Sequence, residues 1–480
     1  MSTRFDPAKV EPELWRRLGE LLRARGLGPA VLRDAERMLP ARHDALRLPM
    51  VLRLLARQAS PAARLARLFV YDDALARSEI EEVLGAELTG SLVARGLVAE
   101  AGGTLRSAVR ITPFADVLVV SDPLVAPDPV IPPGPTTSEL LGCMPPRLDG
   151  LSVLDLGCGP GSIAAVLAGR GARVVATDVS ERACEYAAAT SRLNARELTI
   201  LPSDGTAAVR ERRFDRVLCQ PPFVPEPAGE TTTYLHGGAH GDELGWRLFR
   251  ESVPLLAEGG QAIFRLDLAG SPTEVAAQLA RDVPTRSFIA FVAPGMPAAE
   301  LAMAYALAHR ASIDASVTDE ARRYADAFEA AQITRMSHVI VVGWQGEPGV
   351  RVTQPVPSLG ALDAARLATA RSSCARSLLA GEILARATPS VPRGASLVQR
   401  TNLADRAGRV TLEAPGRDPV ELSEPVALLV DVLAQGASLE EAADALARRI
   451  DRPFEEALEA TLGFARSALQ SGILEVAPDE

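Results

Sequence analysis

Lysine is almost missing from this chain. Lys9 is the only one, so the 51 basic residues are otherwise arginine, a bias that reads as GC-rich codon usage. Acidic residues number 61 and the net charge is −10, so the chain as a whole lacks the long-range positive field that draws a protein to nucleic acid. Cysteine is sparse: Cys143, Cys158, Cys184, Cys219 and Cys374 are odd in number and widely spaced, and no CxxC occurs. That pattern excludes a disulfide framework and a zinc knuckle, and it fits a reducing compartment. No apolar run reaches the ~18 residues of a membrane span. The first stretch, MSTRFDPAKVEPELW, has no apolar core of signal-peptide length, so no export, no membrane association and a cytoplasmic location are expected.

What is present is a globular composition, 47% apolar and 23% charged over 480 residues, long enough for two to four domains. Residues 1–125 read as a helical, winged-helix-like domain. LWRRLGELLRARG and MVLRLLARQ carry apolar residues at helical spacing, and two short helices split near Gly85 follow, with Ser78 and Thr89 as expected N-caps. A Gly102-Gly103 turn then opens a small hairpin. This segment holds 18 basic and 16 acidic residues, a near balance that favours packing or substrate positioning over groove binding. Residues 126–138 are rich in proline and read as a linker or lid. Residues 139–348 alternate strand and helix patterns, which predicts an α/β domain with a mostly parallel, seven-stranded sheet. Its strands are SVLDLG, ARVVATD, ELTILPSD, FDRVLCQ, GQAIFRLDL, SFIAFVA and SHVIVVGWQ, with an inserted helical pair before the last. Residues 349–480 form a second winged-helix-like unit: a hairpin around Gly416, three amphipathic helices and a terminal strand, ILEV.

The densest chemical signal is VLDLGCGPGS, Val153 to Ser162. Gly157, Gly159 and Gly161 can take positive φ and bring the backbone against a ligand, with Cys158 between them. Asp155 closes the apolar strand before the turn and can meet the ammonium side of an amino-acid-bearing cofactor. Asp178, 21 residues after Gly157, ends the next strand and is placed to accept both ribose hydroxyls. Ser203 and Asp204 end the third strand, where Asp204 can accept from an adenine amine with Ile163 or Val179 flanking the ring. A nicotinamide dinucleotide fits less well, because the third fingerprint glycine is missing and a carboxylate beside the turn opposes a pyrophosphate.

The fourth strand ends in Gln220-Pro221-Pro222-Phe223. Consecutive prolines stiffen the backbone and remove its N–H groups, leaving carbonyls to accept. With the Gln220 amide they can hold the two hydrogens of a planar NH₂, while Phe223 offers a stacking face. From Thr137 to Pro348 the chain resembles class I S-adenosylmethionine-dependent methyltransferases of the "small domain" type, a group that includes release-factor glutamine and nucleic-acid base methyltransferases. The resemblance implies a Rossmann-like fold, S-adenosylmethionine as cofactor, a cofactor site of Asp155, Gly157, Cys158, Gly159, Gly161, Asp178, Val179, Ser203, Asp204 and Gln220, and an acceptor site of Gln220, Pro221, Pro222 and Phe223. The family's loop begins with Asn or Asp; here Gln220 is one methylene longer.

His236 and His240 lie beyond the loop. Gly237 and Gly238 between them oppose a metal-binding helix, no third ligand is evident, and no metal is expected. The stretch TTTYLHGGAHGDELGWRLF resembles the segment after the loop in the glutamine-methylating branch. The C-terminal helices resemble the small winged-helix domains that bind leader peptides, with a plain packing role open beside this. These features favour methyl transfer to a planar nitrogen of a protein, peptide or small molecule. An RNA or DNA base methyltransferase is the alternative, and a non-catalytic cofactor-binding regulator is the third reading.

Overall fold

The computed structural model describes residues 5–36, 44–123, 128–227, 234–307, 315–345, 349–401 and 408–477. Residues 126 and 127 of the expected lid, Thr231–Thr233 of the segment after the loop, residues 308–314 of the inserted helical pair and the boundary at Pro348 lie outside them.

The large sheet has eight strands: β1 (Ser152–Leu156), β2 (Arg173–Asp178), β3 (Thr199–Pro202), β4 (Phe214–Cys219), β5 (Leu256–Ala269), β6 (Ser287–Pro297), β7 (Arg335–Trp344) and β8 (Arg351–Pro355). Their order is β8-β6-β7-β5-β4-β1-β2-β3. All seven expected strands are present. The eighth, β8, pairs in parallel with β6 and was expected to begin the C-terminal unit instead. Its five residues are too few for the alternation to distinguish an edge strand from a linker. β1 pairs in parallel with β2 on one side and β4 on the other, β2 with β3, and β5 with β4. Chain order therefore reverses between β1 and β4, and an open sheet binds its ligand outside the carboxyl ends at such a point. Register aligns those ends: Leu156 stands opposite both Thr177 and Cys219, and Asp178 opposite Pro202. Strands buried on both faces explain the near-continuous apolar runs VLDL and VLC.

The described structure divides into two compact units, Met1–Leu141 with Pro146–Leu266 and Met296–Thr334, and Gly142–Pro145 with Asp267–Gly295 and Arg335–Glu480. This division crosses the expected boundaries at 125, 138 and 348. In the first unit the reason lies in one helix, Glu181–Leu193. Its Ala183, Tyr186, Ala189 and Leu193 belong to the same apolar core as Trp15, Leu18, Leu22 and Phe69. The helix also completes the edge of the Arg110–Phe114/Val117–Ser121 hairpin. Asn194 accepts from the Leu118 N–H and donates to its carbonyl, at 2.9 and 2.7 Å, and Thr190 Oγ1 accepts from Val120 N. Asp122, 1% exposed, is satisfied by Arg182, the Tyr186 hydroxyl and the Val130 N–H.

The N-terminal helices are Pro12–Ala24, Pro29–Glu36, Asp44–Gln58 and Pro61–Phe69. Helices Arg77–Leu84 and Ala86–Ala94 then precede a hairpin, Val98–Ala101 with Thr104–Ser107, joined by Leu75–Ala76 into a three-stranded sheet. This is the element order expected of a winged helix, but its caps differ from the sequence reading. Ala76, not Ser78, precedes the first helix, and the Glu79 carboxylate accepts from its N–H; Gly85, at φ +82°, precedes the second, and Thr89 back-bonds to the Gly85 carbonyl. The helix in the recognition position, AELTGSLVA, carries no basic residue. Four module arginines outside it pair with acids: Arg17 with Glu87, Arg64 with Glu82, Arg77 with Glu81 and Glu100, and Arg106 with Asp72.

In the second unit, Ser396–Thr401, Gly408–Glu413 and Val420–Leu422 form an antiparallel sheet, with Gly416 at φ +67° in the turn. Helices Glu424–Ala434, Leu439–Ile450 and Phe454–Ser471 follow as expected, packed around Leu433, Leu446 and Leu469. ILEV forms no strand; Glu475 makes an isolated bridge to Ser390. No described helix is long and apolar enough to cross a membrane.

Candidate functional site

The carboxyl ends of β1, β2, β3 and β4 bring Gly157, Val179, Ser203 and Gln220 to one edge of the sheet. The turn after β1 is pinned from below. Gly157 and Cys158 donate their N–H groups to the Thr177 carbonyl at 2.8 and 2.9 Å. Gly157, Gly159 and Gly161 all take positive φ, at +73°, +52° and +73°. A Cβ at Gly157 or Gly159 would meet nothing within 4 Å, so it would project into the open space beside the turn. That space is a cradle a ligand can fill only because both side chains are absent.

Asp178 is largely buried and closes the cradle. Its Oδ2 accepts from Gly159 N and its Oδ1 from Ser180 N, each at 2.9 Å. Each carboxylate oxygen keeps a lone pair for a further donor, so the group can take a vicinal diol while holding the turn. Burial pushes its pKa up, against those backbone hydrogen bonds. Val179, next to it, is 59% exposed, whereas Ile163 is 5% exposed. Of the two residues expected to flank a flat ring, only the valine presents a surface.

Asp155 is 4% exposed and accepts from Ala164 N at 3.0 Å, tying strand β1 to the helix Ser162–Gly169. Burial raises its pKa to about 7, opposed by the Ala164 hydrogen bond and reinforced by Asp178. Cys158 is buried, and its thiol is pushed well above the ordinary range, first by burial and then by Asp155 and Asp178. Ser203 spends its hydroxyl within its own turn, donating to the Gly205 carbonyl and accepting from Ala208 N. Asp204 is exposed just past the end of β3, and Arg247 Nη2 donates to its Oδ1 at 2.8 Å. The arginine lies 43 residues downstream, out of reach of any local pattern.

On the acceptor side, Pro221 is buried, and Gln220, Pro222 and Phe223 are partly exposed. Gln220 Nε2 donates to Thr136 Oγ1 at 2.6 Å. One of its two amide hydrogens is thereby used, which fixes the amide with its carbonyl oxygen as the acceptor end. Thr136 belongs to the helix Pro135–Gly142, so the C-terminal part of the expected linker is helix and contributes to the site. Arg265, 2% exposed on β5, stands with its guanidinium 5.3 Å from the centre of the Phe223 ring and donates from Nε to Glu139 of the same helix at 2.9 Å. Sequence reading missed Thr136, Glu139 and Arg265. The only trace was an arginine inside the apolar strand FRLDL, a position arginine occupies only when paired.

The glycine-rich segment locks the loop from outside. Val224–Pro225 pairs in parallel with His236–Gly238, and Val224 N donates to the Leu235 carbonyl. A side chain at Gly237 would strike the Pro222 carbonyl, and one at Gly241 the Phe223 carbonyl. The two histidines part company. His236 is buried, 3.5 Å from the Tyr324 hydroxyl, whereas His240 is exposed and pairs with Glu243. Among the described residues no group of three or more His, Cys, Asp and Glu could hold a metal ion.

The family model of the methyltransferase small domain matches residues 134–267, from just before Thr136 to just beyond Arg265. A ribosomal RNA large subunit methyltransferase G of Pseudomonas putida is 34% identical over 128 residues, 26% of this chain and 31% of that protein. A ubiquinone biosynthesis O-methyltransferase of Leptothrix cholodnii is 37% identical over 90 residues, 17% of this chain and 37% of that protein. The chain thus spans about a third of the length of these relatives. A ribosomal protein L11 methylase from Lactobacillus delbrueckii overlays with a TM-score of 0.26 at 18% identity, covering 44% of this chain and 78% of that one. The fold assignment rests on the strand order above. Over residues 134–267 the chain is thus similar to the methyltransferase small domain.

Proposed function

We propose that this chain is an S-adenosylmethionine-dependent methyltransferase whose acceptor is a nitrogen of an RNA base. The observation that carries the methyl-transfer reading is the seat at the end of β4: a pinned amide, a buried proline and a half-exposed ring, one strand away from the glycine cradle. The choice of RNA over the protein, peptide or small molecule favoured from the sequence is supported by the relatives that are named for ribosomal RNA.

The donor supplies an electrophilic methyl group on a sulfonium. The chain's residues bind and orient. Asp178 holds the ribose diol and Val179 flanks the adenine. Gln220 Oε1 and the Pro221 carbonyl accept the two hydrogens of the planar amine and so direct its lone pair at the methyl. Phe223 stacks against the base. Arg265 and Glu139 hold that ring from behind. No side-chain nucleophile is required, and rate comes from orientation. The ion-paired N-terminal module contributes scaffold to the Glu181–Leu193 helix and leaves base reading to the loop.

The test is incubation of the full chain with tritiated S-adenosylmethionine and, separately, deproteinised ribosomal RNA, ribosomal protein and a small-molecule extract. Label is expected in RNA and in a base after nuclease digestion. Label confined to protein or small molecules overturns the acceptor. Donor binding without transfer to any fraction favours the regulator.

A further inference from the structure

The second unit contains a cavity of about 70 Å³ whose polar wall is Gln354, Arg366, Arg417 and Asp418. The methyltransferase site uses none of these residues. Arg366 comes from the first turn of the helix Ala364–Ser377, and Arg417 from the turn between Gly408–Glu413 and Val420–Leu422. Both are fixed by carbonyls of glycines in left-handed conformation. Arg366 Nη1 donates to the Gly416 carbonyl at 2.8 Å, and Arg417 Nη1 to that of Gly472, at φ +67° and +79°. A Cβ on Gly416 would stand 3.2 Å from Arg366 Nη1, so the turn is shaped around the guanidinium.

The charges are unevenly matched. Glu475 pairs with Arg417. Among the described residues no carboxylate lies within ion-pair distance of Arg366: Asp363 spends its Oδ1 capping the helix at Arg366 N, and Asp418 is exposed at the wall. Arg366 Nε is buried without a hydrogen-bond partner. A buried donor left unsatisfied costs on the order of 1–3 kcal/mol, which an incoming acceptor recovers. Arg417 is pulled down to about 10 by burial and by Arg366, and Arg366 is lowered by burial, so both cations lie in a site that favours an added negative charge. The rest of the lining includes Leu412, Val420 and Ile473.

We propose that this cavity binds a small organic anion, its oxyanion held by Arg366 with Arg417 and its apolar body against Leu412, Val420 and Ile473. Calorimetric titration of the full chain with hexanoate, and in a second arm with inorganic phosphate, tests it. Hexanoate is expected to bind at one site, more tightly than phosphate. Arg366→Met is expected to weaken hexanoate by about tenfold or more, the equivalent of one charge-assisted hydrogen bond. Arg366→Lys, which keeps the charge and loses the Nε donor, covers the case of a Met variant that fails to fold, with a loss of the same order. No heat with either anion, phosphate binding as tight as hexanoate, or unchanged affinity in the variants would each overturn the proposal.

Discussion

Asp155 should make the methyltransferase core more stable in mild acid than in mild alkali, the reverse of the usual behaviour of a carboxylate in a folded protein. Its carboxyl is 4% exposed, and burial, with Asp178 nearby, raises its pKa from 3.8 to about 7. Between those values the folded chain carries a proton that the unfolded chain has lost. Stability from this group is therefore present below the unfolded pKa and is lost as pH rises through about 7. From pH 8 to pH 5 two pKa units of the shift are realised, about 3 kcal/mol. Segment-resolved amide exchange over residues 152–164 reads the local opening free energy, and Ala164 N–H, bonded to the carboxylate, is its most direct reporter. The opening free energy, corrected for intrinsic exchange, should be higher at pH 5 by that amount. Asp155→Asn, neutral at every pH, should erase the difference. Should the difference persist in Asp155→Asn, or run the other way, the reasoning fails. The same proton bears on ligand binding: a cationic donor favours ionised Asp155, so affinity for S-adenosylmethionine should rise from pH 5.5 to 7.5 in the native chain and stay flat in Asp155→Asn.

Asp178→Ala removes the carboxylate that both holds the glycine turn and faces the cradle, and calorimetry should find donor binding abolished; Asp204→Ala, which breaks only an exposed pair with Arg247, should cost less than about tenfold. Thr136→Val frees the Gln220 amide without touching the cradle, so turnover should fall by about tenfold at unchanged donor affinity; equal losses in both would place Thr136 on the donor side. Gly161→Ala adds a Cβ 3.0 Å from that of Ala187 at φ +73°, and should lower stability by about 1–3 kcal/mol in thermal unfolding followed by circular dichroism.

The parts of this molecule that were legible in its sequence are those encoded by short-range pattern. Seven sheet strands, the positive-φ glycines and the strand-end position of Asp178 follow from alternation, turn chemistry and spacing within about 30 residues. What escaped is non-local. Thr136 reaches Gln220 across 84 residues, Arg265 reaches Glu139 across 126, and Arg247 takes Asp204 across 43. Such pairs exist only once the sheet order is set. The order itself was not legible in the sequence. The helix Glu181–Leu193 illustrates the same limit. Its pattern predicts an amphipathic helix, but only the fold reveals that its outer face belongs to the N-terminal core.

The glutamine at the head of the loop, read alone, looks like a loss of fit. The structure supplies its counterpart. Gln220 Nε2 lies 2.6 Å from Thr136 Oγ1, and an asparagine, shorter by about 1.5 Å, would fall beyond hydrogen-bond range. The extra methylene is therefore the length that spans from β4 to the helix Pro135–Gly142, with the amide oxygen left toward the acceptor. Restoring the family's residue should then harm this chain. Gln220→Asn is expected to lower turnover toward that of Thr136→Val while sparing donor affinity, and the double variant should be no worse than the worse single one, because both cut the same bond. A faster Gln220→Asn enzyme would mean that the clamp is incidental and that the glutamine is an imperfect substitute for the shorter amide.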